Sequence, residues 1–508
     1  MSSGPTAPAG NTSADVVAEP SKAFVTVVVL CFGGLTASLV QTLVIPIQGE
    51  LPRLLHTSAA NSSWVITATL LAAAVAMPIA GRLGDMFGKQ RVLLVSAVIL
   101  LVGSAICAMS STLLPMLVGR ALQGLAMGFI PVGISLMREV TPPRMTATAI
   151  ASMSATLGVG GAIGLPLSAW VADAFNWHAL FWMSAALALL VAVAVATLVP
   201  NPADAVGGRL DVVGTLGLSA GLILTLIAVS KGNSWGWDQP RTLGTLAGGI
   251  VVLLLWGWFE LRVDEPLADL RLTAQLPVLL TNLAAVAIGF GMMAQAIVVP
   301  QLLQLPEATG YGLGLTILQA GLLMAPGGLM MMLFAPVSSR LIQGAGAKRT
   351  LVIGASVLGS GYVVAAFFMH TPIELLVASC VASAGVGIGY AAMPTLIMAS
   401  VPMREAGSAV GINGLMRSIG TTVASAVMAA LLTSSTQDFG GFALPTESAF
   451  RTCFIVGAGA AFIGALIAAS VPFTRRAAEQ SKAAAAGAPQ QSVEVQAAPE
   501  DSSAAPVH

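Results

Sequence analysis

Residues 81–91 read GRLGDMFGKQR. Arg82, Asp85, Lys89 and Arg91 fall within ten positions, in a chain that is only 9% charged. The flanks are long apolar runs, WVITATLLAAAVAMPIA at 64–80 and VLLVSAVILLVGSAICAM at 92–109. Each is long enough to cross a hydrocarbon layer about 30 Å thick as a helix. The charged knot therefore reads as a turn at the membrane surface between two antiparallel spans. Gly81, Gly84 and Gly88 allow the chain to reverse tightly and the helices to approach closely.

The composition carries this reading to the whole chain. Hydrophobic residues make up 56% of 508 residues, and the mean hydropathy is +0.88. Soluble domains are about 25% charged, so this chain has lipid as its solvent. Net charge is zero, which gives no indication of a nucleic-acid partner. Cys31, Cys107, Cys380 and Cys453 all lie inside apolar runs, where they read as small packing residues and not as disulfides or metal ligands. The N-terminus lacks the basic region and short apolar core of a cleaved signal. The tail beyond Arg476 is of low complexity and reads as disordered.

Apolar runs between polar breaks give fourteen helices. The first six lie near 23–46, 62–81, 92–111, 114–136, 148–171 and 179–199. A pair follows near 211–230 and 242–261. The last six lie near 278–301, 313–337, 350–369, 374–398, 407–432 and 451–472. The runs are too long and too uniformly apolar for barrel strands. Placing the N-terminus in the cytoplasm puts sixteen Lys and Arg inside and four outside (Arg53, Lys231, Arg241 and Arg451), with Arg120 and Arg417 within helices. This asymmetry sets the topology.

The knot has a partner, SRLIQGAGAKRT at 339–350. At an offset of 258, Arg82 falls on Arg340, Leu83 on Leu341, Gly88 on Gly346 and Arg91 on Arg349. Further along, Gly124 and Pro131 match Gly387 and Pro394, and Arg144 and Gly160 match Arg404 and Gly420. The chain reads as two six-helix halves in parallel orientation with two helices inserted between them, an organisation that suits a transporter with its site between the halves. Asp85 is then placed either to cap the start of the next segment or to pair with an arginine across the seam between the halves. Such a cross-seam contact would latch one conformation and break in the other.

These residues resemble the signature loop of the major facilitator superfamily, through Gly81, Arg82, Gly84, Asp85, Gly88, Lys89 and Arg91. LVGRALQGLAMG at 117–128 resembles that superfamily's fourth-helix motif, through Arg120, Gln123 and Gly124. RLDVVGTLGL at 209–218 and ELRVDEPLADLRL at 260–272 resemble the connectors around the extra helix pair of its fourteen-helix drug:proton antiporter branch. The resemblance covers roughly 21–475. It implies an all-α integral membrane protein of the major-facilitator fold: an N-terminal six-helix bundle at 23–199, a two-helix insertion with connectors at 200–274 and a C-terminal six-helix bundle at 275–473. Disordered cytoplasmic ends at 1–22 and 474–508 complete this division.

Two departures stand out. The branch carries an embedded Asp before Gln-Thr in its first helix, whereas LTASLVQTLVIP has Val40 there, followed by Gln41 and Thr42. In the fifth helix, GVGGAIGLPLSAW keeps Gly160 and Gly164 of the antiporter hinge motif, with Pro166 displaced by one position and Ser168-Ala169 in place of a glycine pair. No other acid replaces the missing one, because every Asp and Glu falls near a helix end or in a loop.

Charges inside a bilayer are costly and are retained for function. Arg120 has three readings: a modulator of a neighbouring acid, as the resemblance implies; a contact for an anionic or carbonyl-rich substrate; or a donor to free backbone carbonyls. Arg417 lies about 15 Å into its helix, with Asn413 one turn earlier on the same face. Gln41, Thr42 and Gln123 either face a cavity or bond between helices. Met330, Met331 and Met332 point in different directions around a helix, so most of them pack or face lipid.

No nucleophile–base pair, ATP motif or metal spacing occurs in the chain. The expected function is secondary active transport across the cell (inner or plasma) membrane, with both termini cytoplasmic and no cofactor. Proton-driven efflux of hydrophobic drugs or secondary metabolites by alternating access is the leading reading, and transport without proton coupling is the alternative. A membrane-embedded transferase is disfavoured. The expected partners are small hydrophobic molecules and membrane lipids, without nucleic acid or an obligate protein partner.

Overall fold

The computed structural model describes residues 20–472, apart from 46, 48–49, 202–206, 208–209, 265 and 440–441. The expected disordered ends lie outside the described residues, except that the first helix already begins at Pro20. In lipid every backbone N–H and C=O must be satisfied within the segment, so these apolar runs fold as helices.

The N-terminal set comprises α1 (Pro20–Thr42), α2 (Trp64–Phe87), α3 (Lys89–Met109), α4 (Leu113–Val140), α5 (Pro143–Ala174) and α6 (Trp177–Leu198). The inserted pair is α7 (Val212–Trp235) and α8 (Pro240–Glu260). The C-terminal set comprises α9 (Leu276–Gln304), α10 (Leu318–Ala345), α11 (Ala347–Phe367), α12 (Pro372–Ser400), α13 (Ala406–Ser434) and α14 (Glu447–Ala469). Thirteen of these helices are long and apolar enough to cross a membrane. The 32-residue α5 is the remaining long helix of the expected set. A short antiparallel hairpin, β1 (Thr436–Phe439) with β2 (Phe442–Pro445), sits in the connection between α13 and α14.

Polar residues mark the helix starts. Asn176 caps α6, Asp211 caps α7 and Thr446 caps α14 through side-chain acceptors. Thr371 and Glu374 form a capping box on α12, which satisfies two orphan donors reciprocally. Gly88 divides α2 from α3 at φ +98°, and Gly346 divides α10 from α11 at φ +86°. Both conformations disfavour a Cβ. The two turns paired by the 258-residue offset thus share one backbone solution.

The halves repeat each other in packing. In the first, α1 lies on α5, α2 on α4, and α3 on α4 and α6. In the second, α9 lies on α13, α10 on α12, and α11 on α12 and α14. Two seams join the halves, α2 with α13 and α5 with α10. Lys89 contacts Glu139 near the end of α4, and Thr148 in α5 bonds Ser339 in α10. Both repeated turns therefore lie on one face of the bundle, here termed the latch face.

Within lipid, apolar contact between helices gains nothing from the hydrophobic effect, so small residues and inter-helix hydrogen bonds decide the packing. A Cβ on Gly81 would lie 2.2 Å from the Gly407 carbonyl oxygen, and one on Gly411 would lie 2.4 Å from that of Met77. The α2/α13 seam is thus drawn to backbone contact. The inserted pair lies across this seam: Leu218, Leu222 and Leu226 of α7 cluster with Leu71 and Ala74 of α2 and Leu415 of α13. At the opposite face Lys231 donates to Ser63 Oγ at 2.5 Å, and Asn233 Nδ2 donates to the Ala426 carbonyl at 2.9 Å. The insertion therefore holds both halves. Its outer surface, including Leu254 and Trp258, is 68% and 60% exposed and faces lipid.

Candidate functional site: a latch, an arginine core and a closed seam

Asp85 lies in the last turn of α2 with 3% of its surface exposed. Its Oδ1 accepts the Gly407 N–H at 3.2 Å and its Oδ2 accepts the Ser408 N–H at 2.9 Å. Both donors belong to the first turn of α13, where N–H groups lack intrahelical partners and the helix dipole attracts an anion. Lys89, 7% exposed, places Nζ 3.1 Å from Asp85 Oδ1 and 2.5 Å from Glu139 Oε1. One buried ammonium is thereby shared between two carboxylates on α2 and α4, while the first carboxylate grips the other half of the molecule.

Neither expectation for Asp85 is realised as stated: it caps a helix, but not the one that follows it, and it crosses the seam without an arginine. The cap is on α13, in the opposite half, and the cation is Lys89 on its own turn instead of an arginine across the seam. Arg82 is half-buried and Arg91 is exposed, so neither takes that role. Gly84 is packed against Val132 of α4, and Gly88 supplies the left-handed turn that returns Lys89 towards Asp85. Glu139 was not singled out in the sequence. Its only signal there is an acid at the end of an apolar run, and the partner lies 50 residues away.

Arg120 is 1% exposed and lies inside the first half, away from the seam. It donates through Nε to the Val65 carbonyl at 3.2 Å and through Nη1 to the Val40 carbonyl at 3.2 Å. Nη1 also meets Gln123 Oε1 at 2.7 Å, and Gln123 Nε2 donates to Ser104 Oγ at 2.9 Å. Val40 stands in the last turn of α1, where carbonyls lose their intrahelical donors. Arg120 thus uses the backbone of the residue whose side chain would have been the acid. Of the readings open from the sequence, these contacts are those of a backbone-carbonyl donor for Arg120 and of an inter-helix hydrogen-bonder for Gln123: they join α1, α2, α3 and α4 into one unit.

Thr42 and Ser38 likewise bond between helices. Ser38 Oγ donates to the Leu157 carbonyl at 2.8 Å, and Thr42 Oγ1 reaches the Leu39 and Gly160 carbonyls at 2.9 and 3.4 Å. Gly160 and Gly164 make this approach possible, since a Cβ on Gly164 would lie 1.9 Å from Thr42 Oγ1. Pro166 lies within α5 two residues later, and the helix continues past it to Ala174. Gln41, beside Thr42, is half-buried.

Between the halves, Pro131 and Ile134 of α4 face Tyr390 and Pro394 of α12 and Asn413 and Arg417 of α13. The cavity among them is about 10 Å³, room for about one water. The Arg417 guanidinium stacks 4.5 Å from the centre of the Tyr390 ring. Asn413 Nδ2 donates to Asn282 Oδ1 at 3.0 Å, and Asn282 Nδ2 is buried without a hydrogen-bond acceptor. Arg417 and Asn413 therefore lie at the seam between the halves. Tyr390 and Asn282 join them through distant helices and carry no local motif.

An open apolar groove of about 440 Å³ lies on the surface of the second half, where Met330, Phe334, Cys380 and the half-exposed Val377 contribute walls. It does not reach the seam residues. The three methionines diverge as their helical spacing requires: Met330 lines this groove, Met331 packs on Gly158 and Gly387, and Met332 is exposed. His178 meets the Ser110 carbonyl and His370 meets Glu447, each near a helix end.

Two tandem helix bundles closed on one face by a buried ionic cap have the two-half organisation of the major-facilitator fold. The Major Facilitator Superfamily profile matches residues 30–343 and 281–500, and the chain belongs to that family. It is similar to an uncharacterised MFS-type transporter of Mycobacterium tuberculosis, 31% identical over 330 residues, which are 64% of this chain and 48% of the relative. The chain thus spans about half the length of that relative. It is also similar to the tetracenomycin C resistance and export protein of Streptomyces glaucescens, 27% identical over 420 residues, 81% of this chain and 76% of that one. Among solved structures, the human organic anion transporter MFSD10 matches with a TM-score of 0.62 at 14% identity, over 89% of this chain and all of the other. That likeness concerns the fold.

Proposed function

We propose that the protein exports hydrophobic drugs or secondary metabolites from the cytoplasm, driven by the proton gradient, as a member of the fourteen-helix drug:proton antiporter branch. The observation that supports this best is the Asp85 carboxylate seated on the N-terminus of α13. It is a charged contact between the halves that is either made or broken. With the latch made, the face bearing Lys89 and Glu139 is shut, and breaking it allows the halves to rock about the seam of Asn413 and Arg417. The Lys and Arg distribution puts that face and both termini in the cytoplasm of a cell that holds the protein in its inner or plasma membrane. The relative named as a tetracenomycin C resistance and export protein favours the same cargo class. Purified protein in liposomes, loaded with ethidium and given an imposed pH gradient, tests the reading. Gradient-dependent dye movement with matching proton flux supports it. Dye flux that ignores the gradient removes the coupling, and no flux for any of a broad panel of apolar cations and antibiotics removes the cargo class.

A second reading, transport without protons, is favoured by one observation. The position of the embedded acid is Val40, and Arg120 is held by two backbone carbonyls and Gln123. The same liposome assay separates the two.

A further inference from the structure

The inserted pair α7/α8 carries a second acidic contact on the latch face. Glu260, the last residue of α8, is 2% exposed. Its Oε1 accepts the Ala268 N–H at 2.8 Å, and its Oε2 is buried with no hydrogen-bond partner. Asp211 caps α7 through Oδ1, which accepts the Gly214 N–H at 2.7 Å, and its Oδ2 is also buried and unpartnered. The two free oxygens converge on one spot: a Cβ on Gly214 would lie 2.2 Å from Asp211 Oδ2 and 2.6 Å from Glu260 Oε2. The indole N–H of Trp256, one turn earlier on α8, is buried without an acceptor as well.

Two unpartnered carboxylate oxygens that face one gap shielded from water repel when both are charged, and a shared proton relieves that repulsion. Among the described residues the neighbouring charges are otherwise engaged. Arg262 stacks on Trp258, Arg271 donates to the Leu261 carbonyl, and Asp269 caps the short helix Leu270–Thr273. On α13 and its lead-in, Arg404 pairs with Glu405, while Lys89 is held by Asp85 and Glu139. Asp264 and Glu405 add negative charge to this face of the molecule. The group that fits the gap is a proton.

The pair is wired to the latch. Glu260 holds the 267–268 backbone, where Leu267 and Ala268 are buried. The Leu267 carbonyl accepts the Ser408 hydroxyl at 3.2 Å, and the Ser408 N–H is the donor to Asp85 Oδ2. We propose that Asp211 and Glu260 form a proton-binding site that sets the strength of the Asp85 latch. With one proton shared as O–H···O⁻, Glu260 keeps the 267–268 strap against α13 and the face stays shut. When that proton leaves to the aqueous phase, the two carboxylates repel, the strap loosens, and Ser408 loses its carbonyl partner beside Asp85. Release of a proton on the latch face then accompanies opening of that face. This inference rests on the proton-coupled reading and supplies a coupling site that the first helix lacks.

The test uses the full chain in lipid nanodiscs, with no transport substrate. Val410, which is 3% exposed and lines the seam cavity, is replaced by Cys and alkylated with a water-soluble maleimide, with the background taken from the protein bearing only its native cysteines. Expressed relative to the alkylation rate of the same cysteine in unfolded protein at each pH, which removes the pH dependence of thiolate formation, alkylation is expected to be about tenfold faster near pH 8 than near pH 6. Glu260→Gln and Asp211→Asn, which remove the shared proton site, should each flatten this dependence. Infrared difference spectra of the same samples should show a protonated carboxyl band at neutral pH that each substitution abolishes. A pH dependence that survives both substitutions, or a carboxyl band unchanged in both, overturns the proposal, and if Glu260→Gln fails to fold the Asp211→Asn result decides alone. Failure of the export reading looks different: dye flux in liposomes would ignore the gradient while the alkylation profile stays pH-dependent.

Discussion

The two seams between the halves are related by the internal repeat, yet they are held by different chemistry. At the α2/α13 seam, a buried carboxylate with its own ammonium takes the N–H groups of Gly407 and Ser408. At the α5/α10 seam, the equivalent contact is a neutral hydroxyl pair, Thr148 Oγ1 and Ser339 Oγ at 2.7 Å, with Gln343 donating to the same serine at 3.2 Å. Gln343 stands where the repeat places Asp85, and Ala347 where it places Lys89. The turns themselves match, since Gly88 and Gly346 share the same left-handed conformation.

The cause lies in where each receiving helix begins. α13 starts at Ala406, so Gly407 and Ser408 present unsatisfied first-turn donors. α5 starts at Pro143, so the residues matching them, Ala147 and Thr148, lie beyond the first turn with their N–H groups committed to the helix. A carboxylate is rewarded at one seam and would be stranded at the other. An ion pair desolvated this far is either made or broken, whereas a hydroxyl pair contributes roughly 1 kcal/mol and slides readily. In this reading the first seam switches and the second serves as a bearing.

Asp85→Asn is the largest test of that contrast. Removing one member of a buried charge network costs about 2–5 kcal/mol, so the closed face should open and Val410→Cys should label far faster. Unchanged labelling and transport at normal expression would end the switch assignment. Next is Arg120→Leu, which strands two carbonyls and Gln123. At about 1–3 kcal/mol for each group left unpaired, it should lower the thermal midpoint of the purified protein sharply. Its labelling at position 410 should barely change, since the arginine is internal to one half. If labelling rises as much as in Asp85→Asn, the first half is not the rigid unit described.

Gly88→Ala and Gly346→Ala each force a Cβ into a left-handed turn at a cost of about 1–2 kcal/mol. Both should lose similar stability on heating, but only Gly88→Ala should accelerate labelling, because only that turn delivers a charged side chain. Gln343→Asp should create no second latch, and its labelling should match the parent protein. A slowed rate would show that helix start does not decide which seam can hold a charge. Ser339→Ala is the smallest test. It removes a neutral bond worth about 0.5–1.5 kcal/mol, and its effect should not change with salt or pH.

Much of this was legible without the fold. Long apolar runs in a chain with few charges specify helices in lipid, because hydropathy and length are properties of each segment alone. The offset of 258 between 81–91 and 339–350 announced two related turns, and the same backbone conformation at Gly88 and Gly346 follows from glycine in matched positions. What each charge touches was not legible. Asp85 meets donors 322 and 323 residues away, Arg120 spends its guanidinium on the carbonyl of Val40, and Asp211 finds Glu260 only because two inserted helices end side by side. Periodicity and composition are local, and they place a side chain at a helix end or in its middle. Which helix end comes to meet it, and whether that end has donors to spare, depends on the start and tilt of distant helices, and only the packed bundle decides that.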